Sequence, residues 1–282
     1  MTRTVEIVEV GPRDGLQNEK RQIPTAQKIA LVSALAKVGF ARIEVASFVS
    51  PKWVPQMADG AEVLAGIPRQ EGLRYAALTP NMRGFTAAVA ARADEIAIFG
   101  AASEGFSKAN LNCTIEESFD RFAPICAAAA EAGIPVRGYV SCVTDCPFDG
   151  ATPTETVARV AARMRDLGCY EISLGETLGR GEPVRVARML EAVLAELPAA
   201  HLAGHFHDTG GRALDNIDVA LEMGLRVFDA SAGGLGGCPY APGAAGNVAT
   251  EAVADHLAAA GYATGLDRAA LALAAAMARG LR

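Results

Sequence analysis

Residues 5–19 read VEIVEVGPRDGLQNE, and the way this stretch ends decides between two folds. Its first six residues are rich in β-branched side chains and suit a short buried strand. An open doubly wound sheet usually follows its first strand with G-x-G-x-x-G, which lets a pyrophosphate approach a helix N-terminus. Here the strand runs instead into GPRDG, which is charged and lacks that glycine spacing. A closed barrel of alternating strands and helices is the reading left standing.

The rest of the chain supports it. Seven further β-like runs follow: ARIEVAS (41–47), RYAAL (74–78), ADEIAIF (93–99), VRGYVSC (136–142), CYEISLG (169–175), LAGHFH (202–207) and RVFDAS (226–231). Between them lie stretches with apolar residues at helical spacing, such as AQKIALVSALAKV, ETVARVAARMRDL and PVRVARMLEAVLAEL. Four of the helices stop at Gly39, Gly133, Gly168 and Gly224, where a left-handed residue is wanted. Thr152, Pro153 and Glu155 read as a helix start with Thr as the cap. Eight strand–helix units without an evident linker predict one (β/α)8 TIM barrel spanning residues 1–282 as a single catalytic domain.

Composition narrows the function. A hydrophobic share of 51% gives ample core, and a net charge of −6 argues against general binding to nucleic acid or an anionic membrane. No apolar run is long enough to span a bilayer. The opening residues carry neither a signal core nor an Arg-rich transit pattern. The six cysteines form no compact framework, so free thiols in a reducing cytoplasm are expected.

In such barrels the active site forms at the C-terminal strand ends. The expected contributors are Arg13, Asp14 and Gln17 after strand 1; Glu44 and Ser47 on strand 2; Arg137, Tyr139 and Ser141 on strand 5; Glu171, Ser173 and Glu176 on strand 6; and His205, His207 and Asp208 on strand 7. Residues two apart on a strand share a face. His205 and His207 therefore point together into the mouth as nitrogen donors for one metal, with Asp14 and Asn247 able to add oxygens. Arg13, fixed at a central strand end, could stabilise a developing oxyanion. Glu44 reads as a buried carboxylate paired with an arginine. Cys142 and Cys146 lack common zinc spacing and read as structural thiols. The loop GGLGGCPYAPGAAGN (233–247) holds six glycines, which allow it to close over a ligand and carry Cys238 to it.

Four segments, EVGPRDGLQNE (9–19), IEVASFVSPKWVPQMAD (43–59), HFHDTGG (205–211) and GGLGGCPYAPGAAGNVATE (233–251), resemble the 3-hydroxy-3-methylglutaryl-CoA lyase family, in the same order along essentially the whole chain. The resemblance implies cleavage of HMG-CoA to acetyl-CoA and acetoacetate with Mg²⁺ or Mn²⁺, a step of leucine breakdown, with a homodimer as the expected assembly. It implies Asp14, His205, His207 and Asn247 as metal ligands, and Arg13, Asp14, His205 and Cys238 as catalytic residues. Gln17, Glu44, Ser47, Tyr139, Ser173 and Glu176, at the strand ends, are expected around substrate or metal, and the resemblance adds Glu251 close to the glycine loop. One departure stands out: EISLGETLG (171–179) has Glu176 where the family usually has Asp, an extra methylene expected to alter the metal's surroundings. Lys20, Lys52 and Lys108 are candidates for the CoA phosphates. A longer 3-hydroxy-3-alkylglutaryl-CoA, or an acyl-CoA/2-oxo acid condensation, are the neighbouring chemistries.

Overall fold

A computed structural model of the protein describes residues 3–238 and 241–282, with side chains at all of these except 237–238 and 241–245. Eight strands form the barrel: β1 (Glu6–Glu9), β2 (Arg42–Ser47), β3 (Arg74–Leu78), β4 (Glu95–Ala101), β5 (Val136–Ser141), β6 (Glu171–Glu176), β7 (Leu202–Phe206) and β8 (Val227–Ala230). Each pairs in parallel with the next, and β8 pairs with β1, so the sheet closes on itself. Parallel neighbours need crossovers, and helices supply them. They are α1 (Thr25–Leu35), α2 (Gly60–Gly66), α3 (Met82–Ala90), α4 (Glu104–Leu111), α5 (Ile115–Ala132), α6 (Thr154–Asp166), α7 (Pro183–Glu196) and α8 (Ala213–Glu222). After β8 come α9 (Thr250–Ala259) and α10 (Arg268–Arg279).

Every predicted strand forms, with small shifts at the ends. The fourth begins two residues late, at Glu95, after a left-handed Arg92 (φ 62°) that follows α3. Gly39, Gly133, Gly168 and Gly224 all have positive φ (99°, 68°, 100° and 100°), as a helix stop requires. The expected Thr152 cap does not form. Pro153 takes the cap position of α6, and the Thr152 hydroxyl makes no hydrogen bond.

The two faces of the barrel sheet differ sharply. Outward residues such as Ile43, Ile98, Val140, Ile172, Leu174, Phe206 and Phe228 pack on Leu31, Phe122, Met164, Val186 and Ile217 of the helices in one core. The inward face is ionic. Arg42, Glu44, Glu95, Arg137, Tyr139, Glu171, Ser173, His205 and Asp229 are each at most 8% exposed. Arg42 forks onto Glu171 across the barrel (2.7 and 3.2 Å) and also donates to Glu6 (2.7 Å). Arg137 joins Glu171 (2.7 Å) to Asp229, which it holds through two N–H groups at 2.7 and 3.1 Å. Arg137 and Glu171 were expected at the mouth. They are instead the second and first residues of their strands, and so lie in the lower half of the barrel as struts.

Candidate metal centre

The GPRDG stretch makes one wide π-type turn, Gly11–Gly15, at the top of β1. The Val10 carbonyl faces the N–H groups of Arg13, Asp14 and Gly15 at 3.2, 2.8 and 3.2 Å. Such single-turn insertions recur at functional sites. A Cβ would crowd both its ends. A Cβ at position 11 would stand 2.5 Å from Glu9 Oε1, and one at position 15 would stand 2.7 Å from Leu235 Cβ. The turn thereby fixes Arg13 and Asp14 over the barrel mouth.

Opposite them, β7 presents its histidines. The Nε2 atoms of His205 and His207 lie 3.3 Å apart, and Asp14 Oδ2 is 4.0 Å from His205 Nε2. Ligand atoms of all three residues fall within 4.8 Å of one another. Asn247 pairs backbone to backbone opposite His207 and donates from Nδ2 to Asp14 Oδ2 at 2.7 Å. Burial, then the charge of His205, holds His207 down at about 4, leaving a neutral ring with a free lone pair. Burial pushes Asp14 up, but Arg13 and both histidines outweigh it and hold the carboxyl at about 2. Two converging imidazole nitrogens with an ionised carboxylate suit a divalent ion with open positions. The residues present fit the group; Asp14, His205 and His207 would hold it, with Asn247 beside them.

The remaining predicted residues divide into those that meet this cluster and those that do not. Arg13 donates to Asp14 (2.5 Å) and to Glu44 (2.7 Å through Nε, with Nη2 at 2.6 Å), so Glu44 is the buried arginine partner expected of it. Tyr139 donates to the same Glu44 oxygen at 3.2 Å and stands edge-on to the His205 ring. Gln17 reaches Asp14 at 3.4 Å, and Ser173 donates to Asp229 at 2.7 Å, behind His205. Ser47 turns to its own loop, accepting from the Val49 N–H at 3.4 Å. Glu251 lies under the glycine loop, accepting from Gly233 N–H (3.0 Å) and Arg279 (2.7 Å). Glu176 is on the other side of its strand. Glu171 and Ser173 face the axis, and alternation sends Glu176 outward, to Thr144 Oγ1 at 3.2 Å and against Gly181. Its extra methylene therefore bears on the loop after β6 rather than on the donor cluster. The Cys238 side chain, with Pro239 and Tyr240, lies outside the described residues; the strand holding Cys238 (Gly237–Cys238) pairs antiparallel with Ala241–Ala245.

Two carboxylates escaped the sequence reading. Asp229 sits level with His205 in the β7–β8 register and accepts from its Nδ1 at 3.1 Å. The signal was present, since RVFDAS places an acid inside a strand next to LAGHFH. The second is Glu9, fully buried, whose oxygens accept from Gly11 N–H (2.8 Å), Ala232 N–H (2.9 Å) and Thr250 Oγ1 (2.7 Å). It ties the GPRDG turn to the glycine loop and to α9. Burial pushes Glu9 from its ordinary 4.5 to about 7, against the pull of those hydrogen bonds. Between these values the folded state keeps a proton that the unfolded chain releases, so this group costs stability as pH rises from 4.5 to 7. Glu9→Gln keeps an acceptor oxygen and removes the titration. The denaturant midpoint, followed across that window, is expected to fall less with pH in the variant than in the parent; parallel curves would show that Glu9 is ionised throughout.

Fold and site together define a (β/α)8 barrel with a divalent-metal donor cluster at its C-terminal mouth. The HMGL-like family model matches residues 4–277. The hydroxymethylglutaryl-CoA lyase of Pseudomonas mevalonii is 54% identical over 270 residues, covering 96% of this chain and 90% of its own. A solved HMG-CoA lyase from Brucella melitensis superposes with a TM-score of 0.99 at 61% identity, over 99% of each chain. One from Acinetobacter baumannii, solved with coenzyme A and 3-methylmalate, has a TM-score of 0.93 at 39% identity, covering 99% of this chain and 91% of that one. The chain belongs to the HMGL-like family, among its hydroxymethylglutaryl-CoA lyases. Relatives under that enzyme name include both mitochondrial and cytoplasmic forms.

Proposed function

We propose that this chain, as one catalytic domain of the pyruvate carboxyltransferase type, cleaves 3-hydroxy-3-methylglutaryl-CoA to acetyl-CoA and acetoacetate with Mg²⁺ or Mn²⁺. The observation that carries the proposal is the convergence of Asp14, His205 and His207 beside the Arg13 guanidinium at the barrel mouth. When bound there, a divalent ion lowers the pKa of a coordinated hydroxyl and polarises oxygen. Cleavage removes the proton of the C3 hydroxyl, breaks C2–C3 to leave a ketone on acetoacetate, and leaves the electron pair on C2 as a thioester enolate. Of the two candidate acceptors for the hydroxyl proton, Asp14 and His205, an imidazole bound to the ion is a poor base, so Asp14 is the group proposed to take it. Three of Arg13's five N–H groups are engaged by Asp14 and Glu44, which leaves two for the enolate oxygen. Cys238, carried by the glycine loop, returns a proton to C2, and closure of that loop excludes water.

The exposed Lys20, Lys52 and Lys108 are the proposed contacts for the CoA phosphates. A homodimer in the cytoplasm completes the reading. Among the described residues no helix is long and apolar enough to cross a membrane. The test is acetyl-CoA release from HMG-CoA after a chelator strips divalent ions, and again after Mg²⁺ or Mn²⁺ is restored. Activity is expected to vanish and return. Turnover that survives complete stripping, or none with either ion, would overturn the proposal.

A further inference from the structure

Behind His205 stands a side chain that no part of the proposed chemistry uses. Asp229 is 2% exposed and spends both carboxylate oxygens on four hydrogen bonds. Oδ1 takes one N–H of Arg137 at 2.7 Å. Oδ2 takes the Ser173 hydroxyl at 2.7 Å, a second Arg137 N–H at 3.1 Å and His205 Nδ1 at 3.1 Å. Arg137 is itself fixed from behind by Glu171, and Glu171 by Arg42. The carboxylate therefore cannot swing, and with Arg137 donating to both oxygens and Ser173 to Oδ2 it faces Nδ1 as an acceptor. An acceptor immobilised at Nδ1 allows one neutral tautomer of the ring, with the proton on Nδ1 and the lone pair on Nε2. Nε2 is the nitrogen that faces His207 and Asp14.

Resting on the metal-lyase reading above, we propose that Asp229 is a positioning residue: it holds His205 in the Nδ1–H form and in the ring orientation that aims Nε2 at the metal. Arg137 acts one step further back, by keeping Asp229 charged and still. The two imidazoles differ: Asp229 anchors the Nδ1 side of His205 independently of the ion, whereas no carboxylate stands behind His207 among the described contacts. Partners of this kind are worth roughly 10- to 100-fold in metal affinity.

Two measurements on the full-length protein test this. First, Mn²⁺ binding to metal-stripped wild type and Asp229→Asn is followed by calorimetry, with thermal unfolding of each metal-free protein alongside. The expected result is a roughly 10- to 100-fold weaker Mn²⁺ affinity in the folded variant. A variant that is less heat-stable but binds Mn²⁺ as tightly as wild type would show a purely structural role and overturn the proposal. Wild type that takes up no Mn²⁺ would overturn the lyase reading as well, so the two failures are distinguishable. Second, in case the variant does not fold, the ¹⁵N-histidine spectrum of the Mg²⁺-loaded wild type reads the tautomer directly. The chain has only four histidines, and His201 and His256 lie outside the site. A proton on Nδ1 of His205 is expected; a proton on Nε2 would overturn the assignment.

Discussion

Replacing Arg13 by methionine is expected to lower kcat by about 100- to 1,000-fold, the usual loss when one preorganised donor to a developing oxyanion is removed. The geometry makes the effect larger than for a surface arginine. Arg13 is 5% exposed and held by Asp14 on one side and Glu44 on the other. The change also leaves Glu44, 1% exposed, with Tyr139 as its remaining donor. An uncompensated buried charge typically costs about 3–5 kcal/mol. Thermal unfolding should therefore register the substitution even without substrate. Steady-state kinetics separate the two effects: KM should move little while kcat collapses. A variant with near-normal kcat would remove Arg13 from the reacting atoms and leave it a structural tie.

His207→Ala is expected to act through the ion. It deletes one of the two imidazole nitrogens that face each other at 3.3 Å, on the ring that burial keeps neutral. Loss of a direct ligand should exceed the roughly 10- to 100-fold cost of losing a partner behind one. Mn²⁺ titration followed by electron paramagnetic resonance should show binding weakened by more than about 100-fold, with activity lost in parallel at physiological ion concentrations. The fold should tolerate the change, since His207 lies beyond the end of β7 and outside the apolar core. Unaltered Mn²⁺ binding would mean that Asp14, His205 and Asn247 hold the ion without it.

Most of this architecture was legible because barrels impose strong periodicities on sequence. The eight strands were visible as short apolar runs, and the helix stops as glycines whose positive φ the structure shares. The donor cluster was legible for the same reason: His205 and His207 are two apart on one strand, and Asp14 follows a strand that closes beside β8. What sequence hid was depth. Arg137 and Glu171 look like mouth residues until strand register shows them near the bottom of their strands. Glu176 lies on the neighbouring face of the same strand as Ser173, a matter of odd against even position that its proximity in sequence conceals. Asp229 and Glu9 were missed because a single acid inside an apolar run gives no partner by itself. Their meaning comes from residues 24 and 241 positions away, His205 and Thr250.

The ionic column inside the barrel constrains how such a chain can change over generations. Arg42, Glu171, Arg137 and Asp229 each neutralise the next. Any one of them replaced alone strands its neighbours' charge away from water, whereas a simultaneous swap of both members for apolar groups can be nearly neutral. Lineages that keep the metal site are therefore expected to keep Arg137 and Asp229, which stand behind His205, and to change Arg42 or Glu171 only together with its partners. An apolar barrel centre would drift one methylene at a time; this one is locked by its own arithmetic of charge.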